Sequence, residues 1–244
     1  MEKVVLVTGA SRGIGRATVI EFAKQGYDVV INYLSSEKEA LTLKQEVEDN
    51  YGVRAITIKA DVSEEIEVKN MVEEVIFTFG QIDVLVNNAG IAIDTIFEDK
   101  TKENFIKTLN TNLVGPFLVS KEVGKYMLEA KEGSIINISS TNGIDTVYPE
   151  SLDYDASKAG VISLTKNLAL QYSPYIRVNS IAPGWVLTDM NKDLDEEFMK
   201  EEEAKVLLNR FADPSEIAKV VVFLASSDAS YINGEVIRVD GGCR

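Results

Sequence analysis

The chain has 244 residues, 45% of them apolar, which suits one sizeable α/β core and excludes a disordered or fibrous protein. It has no histidine and one cysteine, Cys243, so Ser/His/Asp and Cys/His nucleophile pairs, intrachain disulfides and most zinc sites are excluded. A net charge of -14 argues against a nucleic-acid or anionic-membrane partner, because a polyanion demands clustered positive charge.

In chain order, short β-branched runs alternate with longer helical patterns. Val4 to Val7 leads into a helix over Ile14 to Gln25, and Val29 to Ile31 into Glu37 to Tyr51. Ala55 to Ile58 leads into Glu64 to Phe79, and Val84 to Val86 into Thr101 to Lys131. Ile135 to Ile138 precedes Tyr154 to Tyr172, Arg177 to Ile181 precedes Ser215 to Ser226, and Val236 to Val239 is the seventh strand. Strand, helix, strand repeated in this way predicts one domain, a parallel sheet with right-handed crossovers covered on both faces. Met190 to Arg210 breaks the rhythm. Its Asp193, Asp195, Glu196, Glu197, Glu201, Glu202 and Glu203 read as a solvated helix face, or as a lid over a substrate. A basic leader and an apolar run of about eighteen residues are both absent, so a soluble, cytoplasmic protein is expected.

The first motif sits where such a sheet binds ligands. Thr8-Gly9-Ala10-Ser11-Arg12-Gly13-Ile14-Gly15 joins the first strand to the first helix, a T-G-x-x-x-G-x-G spacing. Backbone N–H groups and the helix N-terminus then face a phosphate, while the glycines permit the tight turn. A plain strand-to-helix connection is the alternative. Asn87-Asn88-Ala89-Gly90 ends the fourth strand beside the same crevice, although Asn88 also suits an ordinary turn.

The proton chemistry must come from elsewhere than histidine. Tyr154 and Lys158 lie four apart, one turn from each other on a predicted helix. Chance alone supplies about 0.7 such pairs in this composition, so the pair gains its meaning from Ser139-Ser140 closing the fifth strand just upstream.

With these residues together, the sequence resembles the short-chain dehydrogenase/reductase family over its whole length. The resemblance includes Asn110-Thr111-Asn112-Leu113-Val114-Gly115, Asp61-Val62, Pro183-Gly184 and Asp240-Gly241-Gly242. It implies an α/β, Rossmann-type, doubly wound seven-stranded parallel sheet. In the catalytic set it implies, Tyr154 is the acid/base and Lys158 lowers its pKa and holds the nicotinamide ribose. Ser140 positions the substrate oxygen, and Asn112 steadies a water in the proton relay. Gly9, Ser11, Arg12, Gly13, Ile14, Gly15, Asn32, Tyr33, Asp61, Val62, Asn88, Ala89, Gly90, Pro183, Gly184, Val186 and Thr188 would line the cofactor with Tyr154 and Lys158. Thr141 to Asp153 is about one residue longer than usual in the family, which leaves Ser139 open as the alternative serine.

Physical chemistry runs alongside. Hydride reduction of a carbonyl leaves an alkoxide to be protonated, and a tyrosine of reference pKa about 10 is helped in both directions by a neighbouring ammonium. The second strand ends Ile31-Asn32-Tyr33 without the carboxylate that binds ribose hydroxyls in NAD sites. Arg12 can reach the same ribose and meet a 2'-phosphate, so NADP(H) is the expected cofactor unless Arg12 points to solvent.

Among members of the family the sequence is most similar to 3-oxoacyl-acyl-carrier-protein reductases. The expected substrate is a small carbonyl or alcohol compound, free or bound to an acyl carrier, and the implied assembly is a homotetramer. Docking an acidic carrier needs a basic patch, for which Lys121, Lys125 and Lys131 are the candidates, on a strongly acidic chain. A reductase of a free ketone, sugar or steroid is the second reading. A non-catalytic nucleotide sensor is the third, and the intact Tyr154, Lys158, Ser140 and Asn112 argue against it.

Overall fold

The computed structural model describes residues 2–188 and 194–242. The expectations attached to Cys243 and to Met190 through Asp193 lie outside the described residues. The strands are β1 (Val4–Val7), β2 (Asp28–Tyr33), β3 (Ala55–Lys59), β4 (Val84–Asn87), β5 (Gly133–Ile138), β6 (Ile176–Pro183) and β7 (Val236–Val239). They form one parallel sheet in the order β3-β2-β1-β4-β5-β6-β7. This is the expected doubly wound Rossmann-type domain. Strand order reverses between β1 and β4, and a doubly wound sheet binds ligands at the carboxyl ends of its strands at that point.

The helices are α1 (Gly13–Lys24), α2 (Glu37–Tyr51), α3 (Glu65–Phe79), α4 (Lys102–Leu109), α5 (Gly115–Ala130), α6 (Leu152–Tyr172), α7 (Glu196–Lys205) and α8 (Pro214–Ala225). The period-2 pleat divides each strand between two cores. Val5 and Val7 pack with Phe22 of α1, Leu43 of α2 and Ile217 of α8 on one face. Val4 and Leu6 pack with Val72 of α3, Val123 of α5 and Leu168 of α6 on the other. Both faces are buried, which is why the strands read as continuous β-branched runs rather than as alternating ones. Among the described residues no helix is long and apolar enough to cross a membrane.

Two departures from the sequence expectation shape the site. The single helix expected over Thr101 to Lys131 is α4 and α5 joined by a π-helical turn, Asn110–Val114. Pro116 has no N–H to offer the carbonyl of Asn112, and Gly115 N bonds the carbonyl of Asn110, five residues back. In addition, α6 starts at Leu152, so Tyr154 falls in its first turn beside Asp153 and Asp155, where negative charge suits the helix N-terminus.

Candidate active site

The crevice between β1 and β4 is held by side chains that bond backbone. Thr8 Oγ1 accepts from the N–H groups of Asn88 (3.0 Å) and Ala89 (3.1 Å). Asn88 Nδ2 donates to the carbonyls of Thr8 (2.9 Å) and Gly9 (3.0 Å). This close approach explains the glycines: a Cβ on Gly9 would lie 2.8 Å from Ala89 Cα, and one on Gly15 2.5 Å from Asn88 Nδ2. Gly9 and Gly13 also have positive φ, 59° and 56°, where other residues are strained. Ser11 is buried in the turn, and Ile14 packs on the first core. The first turn of α1 has neither a side-chain cap nor an acidic residue, so its N–H groups are open to an anion. Arg12, at the N-cap, is exposed and makes no ion pair with a described residue.

At the end of β2 the structure modifies the expectation. Asn32 is buried, with Oδ1 accepting from Gly9 N (3.2 Å) and Nδ2 donating to Ile58 O (3.3 Å) and Ala60 O (3.1 Å). It braces the crevice and has no free face toward it. Tyr33 likewise belongs to the first core, and its hydroxyl donates to Glu37 Oε1 at 3.3 Å. A carboxylate therefore stands near this strand end after all, supplied by the first turn of α2. Asp61 accepts from Ser63 N (2.9 Å) and Ser63 Oγ (2.7 Å), and Val62 packs where Gly115 leaves room.

On the other side of β4, four expected residues converge. Ser140 Oγ accepts from Asn142 N at 3.2 Å and lies close enough to the Tyr154 hydroxyl to pull its pKa down. Ser139 is buried one residue back, donating to Ile181 O (2.9 Å) and accepting from Ser180 Oγ (2.8 Å). Of the two serines, Ser140 is the one whose hydroxyl acts on Tyr154. Lys158 donates to Ile138 O at 2.8 Å, and its Nζ lies 5.3 Å from the Tyr154 ring centroid. Asn112, on the π turn, clamps Ile91 by accepting from its N–H and donating to its carbonyl, both at 2.8 Å, and donates to Ser157 Oγ at 3.1 Å. Ser157 in turn donates to Tyr154 O at 2.6 Å. Gly90 borders this space: a Cβ there would lie 3.4 Å from Asn112 Oδ1 and 3.6 Å from Lys158 Nζ.

The electrostatics differ from the simple expectation. Burial pushes Tyr154 up to about 12, with the Ser140 hydrogen bond pulling down and Asp155 and Asp94 pushing further up. Burial alone brings Lys158 down to about 8. The ammonium sits over the tyrosine ring, bonded to Ile138, and does not depress the phenol in this arrangement. Tyr154 is therefore a protonated donor at neutral pH.

Beyond β6, Pro183 and Gly184 lead to Trp185, Val186 and Thr188, the last lying against the turn, with its Cγ2 3.4 Å from where a Cβ on Gly13 would be. Trp185 stacks on Phe211 (5.4 Å) and meets Tyr148 (6.5 Å) and Phe198 of α7 (5.8 Å) edge-on, while its Nε1 donates to Glu202 Oε2 at 3.0 Å.

Several site residues escape sequence reasoning. A buried ion pair joins Lys100 to Asp153 at 2.8 Å, with Thr108 Oγ1 donating to the same carboxylate at 2.6 Å and Lys100 also donating to Ile93 O. Burial opposes the charge on Asp153, but these hydrogen bonds outweigh it and hold the carboxyl below its usual range. Lys100 and Asp153 are 53 residues apart, so no spacing rule finds them. Ser157 and the four aromatic rings are equally invisible without the fold.

A glycine turn under a helix N-terminus, facing a Ser–Tyr–Lys group across the β1/β4 crevice, is the arrangement of a nucleotide-dependent oxidoreductase. Residues 9–244 match the family described as enoyl-(acyl carrier protein) reductase, and the chain belongs to the short-chain dehydrogenase/reductase family of nicotinamide-dependent oxidoreductases. It is similar to the 3-oxoacyl-acyl-carrier-protein reductase of Staphylococcus aureus, 41% identical over 243 residues, 99% of this chain and 98% of that one. The enzyme of the same name from Thermotoga maritima is 41% identical over 98% of this chain and 97% of its own length. Among solved structures, levodione reductase is similar with a TM-score of 0.90 and 37% identity, covering 98% of this chain and 96% of that one. Acetoin dehydrogenase from Salmonella typhimurium is similar with a TM-score of 0.90 and 35% identity, covering 100% and 96%.

Proposed function

We propose that the protein reduces the 3-oxo group of an acyl thioester to a secondary alcohol using NADPH. The observation that carries this reading is the placing of Ser140 where it acts on the Tyr154 hydroxyl, with Lys158 one turn along the same helix and its Nζ 5.3 Å from the Tyr154 ring centroid. The uncapped turn of α1, and Gly90 with no side chain beside Asn112 and Lys158, fit a dinucleotide. When bound, the reduced nicotinamide supplies the hydride. Ser140 donates to the carbonyl oxygen as negative charge develops there, and Tyr154 gives that oxygen its proton. Lys158 holds the nicotinamide ribose and its positive charge favours the phenolate left behind. Asn112 keeps the Ile91 backbone and Ser157 in place and steadies a water of the proton relay.

NADP(H) rather than NAD(H) is supported by Arg12, exposed and unpaired among the described residues. Glu37 weighs against it, although its carboxylate is engaged with Tyr33. The described part of the 190–210 insertion, including α7, acts as a substrate lid. A cytoplasmic homotetramer completes the reading.

One observation favours the second reading, a free ketone, sugar or steroid as substrate. Two of the lysines that a carrier protein would need are already matched by carboxylates, Lys121 by Glu65 (3.2 Å) and Lys125 by Glu122 (2.6 Å). The test is turnover, followed by cofactor absorbance, with carrier-bound 3-oxobutanoate, its N-acetylcysteamine thioester, and free ketones such as acetoin's diketone precursor. Preference for the two thioesters upholds the proposal. Efficient reduction of free ketones with inert thioesters replaces it.

A further inference from the structure

The aromatic cluster at the mouth of the site is used by none of the chemistry above. Tyr148 belongs to the loop between Ser140 and Tyr154, and Asp155 Oδ2 accepts from its N–H at 3.2 Å, so it is anchored to the residue after the proton donor. Trp185 follows β6, whose neighbour β5 runs into Ser140. Phe198 comes from α7 and meets Tyr148 at 6.2 Å and Trp185 at 5.8 Å, both edge-on at 74° and 86°.

The geometry points to Tyr148, Trp185 and Phe198 as the residues that set acyl-chain length, admitting short 3-oxoacyl chains and refusing long ones. A methylene chain passing between two rings must keep about 3.5–4.0 Å from each, so the rings must stand about 7–8 Å apart. The centroids of all three pairs are 5.8 to 6.5 Å apart, with an edge filling each gap. Two of the rings are fixed from behind, Trp185 by the buried Phe211 and Tyr148 by its backbone bond to Asp155. Phe198 is the ring that yields, because it stands on α7, a helix with no buried residue. A long chain can enter only by lifting Phe198 away.

This inference rests on the acyl-thioester reading, and the experiment separates the two. Steady-state rates are compared for the N-acetylcysteamine thioesters of 3-oxobutanoate and 3-oxooctanoate. Wild type should favour the shorter by about tenfold or more in kcat/KM, as a pocket does when methylenes do not fit. Phe198→Ala should bring the ratio within about threefold, and Phe198→Leu should fall between. Trp185 is the sole tryptophan, so acrylamide quenching of its fluorescence should rise in Phe198→Ala and verify that the wall has opened. Equal use of both thioesters by wild type overturns the inference, as does an unchanged ratio in Phe198→Ala when quenching has risen. Failure to reduce either thioester sinks the proposed function instead; butane-2,3-dione against octane-2,3-dione then tests the wall by the same ratio.

Discussion

On the glycine-turn side of the cleft, Thr8, Asn32 and Asn88 spend their polar atoms on backbone of neighbouring strands, and the surrounding strands are fully buried. By contrast, α7 lies on the surface with five glutamates in ten residues, setting Phe198 against Trp185 and Tyr148, Glu202 on Trp185 and Met199 beside a cavity that Leu187 and Gly13 also line. The first side has many satisfied buried bonds and therefore opens only with the fold; the second can detach at small cost. Such a division fits a preformed nucleotide site beside a substrate entrance that can be covered and uncovered. The Tyr154 group belongs to the rigid side, braced from below by Ser157 and Asn112 and from the flank by Lys100 and Asp153.

If the rigid side holds the chemistry, its residues should give the largest effects. Tyr154→Phe keeps the ring but removes the proton donor, so turnover should fall by about 10²–10⁴ while cofactor affinity, followed by nicotinamide fluorescence, stays near wild type. Near-normal turnover would move the proton chemistry elsewhere. Next in size, Lys100→Met leaves the Asp153 carboxylate buried without its cation and should cost about 3–5 kcal/mol in urea unfolding. A loss below about 1 kcal/mol would show that the flank of the site is not braced by this pair.

The third prediction concerns pH and the ligand-free protein. Lys158 titrates at about 8 folded against 10.5 unfolded, so between those values the unfolded chain binds more protons and this group's contribution to stability rises with pH. Tyr154 acts in the opposite sense at higher pH, since its folded value of about 12 exceeds 10.0 and its contribution falls across that interval. Wild type should thus gain on Lys158→Met between pH 8 and 10, by no more than about 3 kcal/mol. A difference between the two proteins that is flat with pH would mean that the ammonium is not desolvated.

The smallest effect is expected where a flexible side chain stands on the rigid scaffold. Arg12→Ala should weaken NADPH by roughly ten- to a hundredfold and leave NADH nearly unchanged, because only the former carries a phosphate for the guanidinium. Parallel losses for both cofactors, measured by titration, would assign Arg12 to the shared diphosphate instead. Tyr33→Asp would not cleanly reverse the preference, since Tyr33 is buried and a carboxylate in its place would lie in the core.

The amino-acid sequence by itself determined the alternation of strands and helices, the glycine turn, and the placing of Tyr154 and Lys158 one turn apart. Each of these depends on residues close in the chain, where β-branched runs, periodicity and glycine act locally. Only the tertiary structure decided which of Ser139 and Ser140 acts on Tyr154, because that depends on which hydroxyl β6 takes up through Ile181 and Ser180. It also decided that Glu37 returns to the end of β2, that Lys100 crosses to Asp153, and that burial overrides the ammonium in setting the Tyr154 proton. Desolvation and long-range pairing depend on what surrounds a residue from every side, and short-range sequence patterns carry no record of those neighbours.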